Sequence, residues 1–227
     1  MLIPDIQNMF ATYRAALNKL EDGLDSRFDE AVSLISNTAQ HVIICGMGKS
    51  GLVGRKIAAT FSSTGTAALF LHPAEAIHGD LGMVREKSVV LLISNSGETE
   101  ELKPVIQYAK RNKIVLVGIV SKKNSVLYKS SDVKLYIPES KESGHGIVPT
   151  SSTTSQLALG DALAIASMNY KNFGKLDFKK FHPSGSLSNK LKTVADLMLV
   201  KNKIPYVNEN KIISSYHNSN ISCNIIS

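Results

Sequence analysis

Between His41 and Pro138 the chain passes through five short apolar stretches, HVIIC, AALFL, SVVLLIS, IVLVGIV and VKLYIP, with little alternation between apolar and polar positions. Runs of this kind predict strands buried on both faces of a parallel sheet. The intervening segments SGLVGRKIAATFSST, ETEELKPVIQYAKRN and SVLYKSS carry helical patterns and predict crossover helices. Residues 4 to about 37 have helical spacing in two segments. Ile6, Met9, Phe10 and Tyr13 share one face, and Phe28, Ala31, Val32 and Leu34 another. A further apolar helix is predicted over STTSQLALGDALAIASMNY. It is too short, and too interrupted by Asp161, for a bilayer, so a buried core or a subunit interface is expected.

Strands alternating with helices predict an α/β fold, a doubly wound, mainly parallel five-stranded sheet flanked by helices. The expected boundaries are N-terminal helices over 1–38, the α/β domain over 39–193 and a short polar tail over 194–227. That tail, rich in Asn, Ser, Lys and Ile, reads as poorly ordered.

Composition narrows the function classes. At 227 residues with 43% hydrophobic content, the chain is long enough to bury a sizeable core. The first twenty residues carry Asp5, Arg14 and Lys19 without a long apolar block, so neither a signal peptide nor a membrane span is expected there, and the protein reads as cytoplasmic. Cys45 ends a buried strand and Cys223 lies in the tail, so neither a structural disulfide nor a zinc framework is expected. The net charge of +7 fits either an anionic ligand or a lysine-rich exterior. With no helix-turn-helix, RNA-binding aromatic motif or dense basic run, no nucleic-acid partner is expected.

In an open parallel sheet, ligands bind beyond the carboxyl ends of the strands. At the first strand end, GMGKSG satisfies G-x-G-x-x-G. A dinucleotide site would need an acidic residue ending the second strand, where His72 and Pro73 stand instead. A Walker loop would need glycine at position 43, which is Ile. What remains is a glycine turn that displays Lys49, either as a site cation or as an ordinary loop lysine.

The third strand ends in SNSGET, which offers the hydroxyls of Ser94, Ser96 and Thr99, with Gly97 permitting close backbone approach. This suits a phosphate dianion, although one such hydroxyl would suffice to cap a helix and Glu98 fits any helix's first turn. PTSSTT at 149–154 is a second hydroxyl cluster, equally able to be a cap. Just before it, Glu139, Glu142 and His145 lie in a glycine-bearing loop; Glu142 is either a site carboxylate or a surface one. His72, His78 and His182 stand near glycines, and imidazoles there raise the case for acid–base chemistry. The six-residue separation of His72 and His78 matches no usual zinc spacing, so no metal is required.

Taken together, GMGKSGLVGRKIAATFSSTGT, HPAEAIHGDLGMV, ISNSGETEEL, PTSSTTSQLALGDALA and HPSGSL, in this order over roughly residues 35–195, closely resemble the sugar isomerase (SIS) domain of the arabinose-5-phosphate isomerases. The resemblance implies interconversion of ribulose 5-phosphate and arabinose 5-phosphate, the entry to Kdo synthesis for lipopolysaccharide, by a cytoplasmic homotetramer without a cofactor. It assigns catalysis to Lys49, His78, Glu98, Glu142 and His182. It assigns substrate binding to Gly48, Ser50, Gly65, Thr66, His72, Ser94, Asn95, Ser96, Gly97, Thr99, Thr150, Ser151, Ser152 and Thr153, with His72 also matching a position that takes an inhibitory metal.

Two departures stand out. The chain reads His182-Pro183-Ser184-Gly185 where the family often has two glycines, and Ser-Gly-His-Gly follows Glu142 in place of an apolar stretch containing cysteine. In addition, ADLMLVKNKIPYV resembles only the start of the CBS region found in many relatives, so a form lacking the CBS pair is expected. Two alternatives stay open: an isomerase of another phosphosugar, and a non-catalytic sugar-phosphate sensor.

Overall fold

A computed structural model describes residues 2–181 together with 194, 198 and 199. The first of two compact units, Met1–His182, holds the architecture that follows. Five strands form one sheet: β1 (Val42–Gly46), β2 (Ala68–Leu71), β3 (Val89–Ser94), β4 (Val115–Val120) and β5 (Val133–Tyr136). Their order is β2-β1-β3-β4-β5, and every neighbouring pair is parallel. Each predicted strand is present. β1 and β3 are buried along their whole length, which is why their sequences show no polar alternation.

Side chains alternate across the sheet and divide the core in two. On one face, Val42, Ile44, Leu91, Ile93, Val117 and Ile119 pack with Ala31, Val32 and Ile35 of α2 (Ser26–Asn37), Ile57 and Phe61 of α3 (Gly48–Ser63), and Leu159 and Leu163 of α7 (Ser151–Tyr170). On the other, Ile43, Cys45, Val90, Leu92 and Leu116 pack with Val105, Ile106 and Ala109 of α5 (Lys103–Arg111) and Leu127 of α6 (Val126–Ser130). Burial pushes the Cys45 thiol up to about 12, which makes it an apolar filler at neutral pH.

The helix α1 (Ile3–Asp22) departs from the expected face. Ile6 and Phe10 are about half exposed, and burial falls instead on Ala16 and Leu20, because this helix meets α7 through its C-terminal half. Three short elements escape the hydrophobic pattern: α4 (Pro73–Ala76), a 3-10 turn at Asp80–Met83 and α8 (Lys175–Phe181). Among the described residues, no helix is long and apolar enough to cross a membrane.

The sequence order of the strands reverses direction between β1 and β3. Connections from these two strands leave toward opposite faces, which opens a crevice at their carboxyl ends. The segments that leave there are 47–50 and 94–99.

Candidate active site

Gly51, shortly after β1, serves chain packing. A Cβ on Gly51 would lie 2.6 Å from the Gly46 carbonyl oxygen, so α3 begins hard against the strand it follows. That tight turn places Lys49 in the first turn of α3, exposed at the carboxyl edge of the sheet. Ser50 follows it, and both line a cavity of about 430 Å³.

The loop after β3 forms the next wall. Ser94 Oγ accepts from the Gly97 N–H (3.0 Å) and shares a 2.8 Å hydrogen bond with Thr99 Oγ1, while Ser96 Oγ accepts from the Glu98 N–H (3.2 Å). Gly97 has φ +68°, and an added Cβ would lie 2.6 Å from Ser125 Cβ, so the turn requires glycine. Asn95 Oδ1 accepts from the Ser121 hydroxyl at 2.8 Å. Ser94, Asn95, Ser96 and Thr99 thus reach the same cavity as Lys49, on a loop held in one shape.

Glu142 closes the third side. Its carboxylate sits at the N-terminus of the twenty-residue helix α7, where Thr150 N–H (2.7 Å), Thr150 Oγ1 (2.9 Å) and Ser152 N–H (3.2 Å) donate to it. Burial works against its ionised form. The hydrogen bonds from Ser152 and Thr150 outweigh that effect and hold the carboxyl below the ordinary glutamate value. The resulting anion lines the same cavity as Lys49, Ser152 and Thr153. It also lines a smaller chamber of about 100 Å³, shared with Asn95, Ser121 and the Lys122–Glu139 ion pair.

Several expected site residues lie elsewhere. Glu98 does not line the cavity; its Oε1 accepts from the Val126 N–H at 2.9 Å, at the start of α6. Ser151 is fully buried and its hydroxyl has no partner among the described residues; successive residues of α7 point about 100° apart, and Ser152 and Thr153 are the ones that turn toward the cavity. Gly65 and Thr66 precede β2 and therefore sit at the opposite, amino edge of the sheet. There Thr66 Oγ1 accepts from Lys171 Nζ at 3.0 Å.

His78 is exposed in the turn after α4 and lines neither chamber. His72 and Gly48 line an adjoining cavity of about 480 Å³, which Lys49 also borders. The Nδ1 of His72 is buried there without a hydrogen-bond partner among the described residues. His182 lies outside the described residues. Among those residues, no group of three or more His, Cys, Asp or Glu is placed to hold a metal ion.

The structure also adds residues that the strand-end argument misses. Met47, Gly146, Ile147 and Pro149 wall the main cavity, and Arg55 borders the second, stacked 4.4 Å over the Phe70 ring. Ile147 and Pro149 belong to a loop with no periodicity. Arg55 follows from helical phase only once α3 is placed.

A hydroxyl-lined turn, a facing cation and a carboxylate on a helix N-terminus, at the switch point of a parallel sheet, form a constellation for a phosphorylated ligand that undergoes proton transfer. Comparison with known proteins gives this arrangement a lineage, since residues 35–166 match the SIS domain family. The chain belongs to the SIS domain family. It is similar to the arabinose 5-phosphate isomerase KpsF of Escherichia coli O6:H1 (strain CFT073), at 44% identity over 87% of this chain and 61% of the relative.

Arabinose 5-phosphate isomerase KdsD of Francisella tularensis is 43% identical over 89% of this chain and 64% of its own. This SIS chain thus spans about three fifths of the length of the curated relatives it matches. Among solved structures it resembles an E. coli CFT073 protein in complex with arabinose 5-phosphate. That structure has a TM-score of 0.77 and 38% identity, with 80% of this chain and 97% of that one covered.

Proposed function

We propose that the protein is an aldose–ketose isomerase that interconverts D-ribulose 5-phosphate and D-arabinose 5-phosphate through an enediol. It would supply the first step of Kdo and lipopolysaccharide synthesis. The observation that carries this reading is the Glu142 carboxylate, anchored at the start of α7 in the same cavity as Lys49 and the Ser94–Thr99 loop. The names of the SIS relatives, and the arabinose 5-phosphate bound in one of them, supply the substrate.

In this reading the phosphate rests on Ser94, Ser96 and Thr99, whose hydroxyls and adjacent amides are already oriented. Binding energy from that remote group fixes carbons 1 and 2 against the carboxylate. Glu142, ionised at neutral pH, takes the proton from one carbon and returns it to the other. Lys49 Nζ stabilises the negative charge that develops on the enediolate oxygen. His182 and His78 are assigned ring opening and oxygen protonation, with His72 contacting substrate from the adjoining cavity. One proton passes between carbons 1 and 2 and one between their oxygens, and no electrons leave the substrate, so the step asks for no redox partner.

Among the described residues His78 lines none of the three cavities above, and Ile3, Ile6 and Phe10 of α1 expose apolar surface. Both features support an assembly of several copies, which we read as a homotetramer working in the cytoplasm. The test is an isomerisation assay on purified protein with ribulose 5-phosphate, in the presence of a chelator, with identification of the product. Arabinose 5-phosphate formation is the expected result. Binding without turnover, or turnover of a different phosphosugar alone, would overturn it.

A further inference from the structure

We propose that Thr150 is a positioning residue for Glu142, acting on the carboxylate rather than on the substrate phosphate; this rests on the isomerase reading above. Both of its polar groups are engaged within the chain. Its N–H donates to Glu142 Oε2 at 2.7 Å, and its hydroxyl lies 2.9 Å from the same oxygen. The hydroxyl in turn accepts from the Ser143 N–H at 2.9 Å.

A hydroxyl has one proton, and two acceptors stand within reach: Glu142 Oε2 at 2.9 Å and the Val148 carbonyl at 3.1 Å. The ionised carboxylate is both nearer and the stronger acceptor, so the proton goes to Glu142. Thr150 therefore locks one carboxylate oxygen from two directions while pinning Ser143, the residue next to Glu142. Between Ser143 and Thr150 the chain passes through three consecutive left-handed residues, Gly144, His145 and Gly146, with φ of 60°, 62° and 78°. Such a segment is strained at His145 and needs its ends tied. Thr150 ties one end of it to the carboxylate it encloses. The charged groups facing Glu142 are Lys49 across the main cavity and the Lys122–Glu139 ion pair beside the smaller chamber.

Thr150→Val keeps the shape and the N–H but removes the hydroxyl. Freed by one bond, the carboxylate should lose alignment, lowering kcat by roughly 10- to 100-fold with KM little changed. The acid limb of the rate profile should move to higher pH, because an anion that loses a donor protonates more easily. Thr150→Ser should restore both, and Thr150→Ala, checked for fold by circular dichroism, should repeat the loss. An NMR titration of glutamate-labelled wild type and Thr150→Val follows Glu142 directly and does not depend on turnover. If the wild type proves inactive, the isomerase reading falls, while the titration still decides the role of Thr150. A raised KM with kcat intact, or an unmoved Glu142 titration, would make Thr150 a substrate contact and end the proposal.

Discussion

Glu98 Oε1 accepts a hydrogen bond from the backbone N–H of Val126 at 2.9 Å, which ties the loop after β3 to the first turn of α6. A carboxylate so engaged, and outside the cavity, braces the 94–99 loop from behind. Glu142 alone of the two carboxylates lines the space where the reacting carbons would sit. The two should therefore separate cleanly in mutant kinetics. Glu142→Gln is expected to lower kcat on the order of 100-fold or more, since it removes the proposed base. Glu98→Gln keeps an oxygen able to accept from Val126, so turnover should fall less than about tenfold. Steady-state assays of both variants decide this, and equal losses would return Glu98 to the chemistry.

Lys49 is exposed at the start of α3 and takes part in none of the ion pairs found among the described residues. Its removal should leave the fold intact. Lys49→Ala is predicted to keep its melting temperature while kcat drops on the order of 100-fold or more, the loss expected when a preorganised cation faces a developing oxyanion. Paired thermal melts and kinetics check this. Retained turnover would make Lys49 a solvated surface residue.

Gly97 tests the proposed phosphate-binding role of the 94–99 loop by backbone geometry. With φ +68° and an added Cβ 2.6 Å from Ser125 Cβ and 2.7 Å from Val120 Cγ2, alanine at this position must distort the turn or displace α6. Gly97→Ala should destabilise the protein by about 1–3 kcal/mol and weaken binding of the phosphosugar. Denaturant unfolding gives the first effect and KM the second. A variant as stable as wild type would mean that the loop has room that the structure does not show.

The sheet could be read from composition because a strand covered on both faces needs an unbroken apolar run, and VVLLI or VIIC leaves few other options. The same topology makes strand ends informative, which is how Lys49 and Ser94 to Thr99 come into view. Beyond that, helical phase decides: Ser151 and Ser152 look alike in PTSSTT, yet only Ser152 faces the cavity. Direction along the strand decides for Gly65 and Thr66, which belong to a motif block but enter β2 rather than leave it. The bond of Thr150 to Glu142 crosses an aperiodic loop whose left-handed His145 carries no signature in its residue type. α1 misleads for a different reason. Its apolar face is real, but among the described residues Ile6 and Phe10 stay about half exposed.

The environment of Glu142 also sets a pH dependence. Its folded carboxyl lies below the ordinary glutamate value of 4.5, because the donors at the start of α7 outweigh burial. A group whose folded value is depressed contributes stability that is fully present above its unfolded value and disappears as pH falls through the folded one. Wild type compared with Glu142→Gln should therefore show a stability gap that is constant at neutral pH and narrows on acidification below 4.5. Glutamine cannot ionise, so its unfolding free energy lacks this contribution at every pH. In the enzyme assay the same sign applies: the limb due to protonation of Glu142 should fall below 4.5, leaving the base fully charged across the neutral range. Denaturant unfolding of both proteins at steps from about pH 7 to about pH 3 measures the gap directly. A gap that widens on acidification would show a raised carboxyl and reverse the assignment of Glu142 as an anion held by α7.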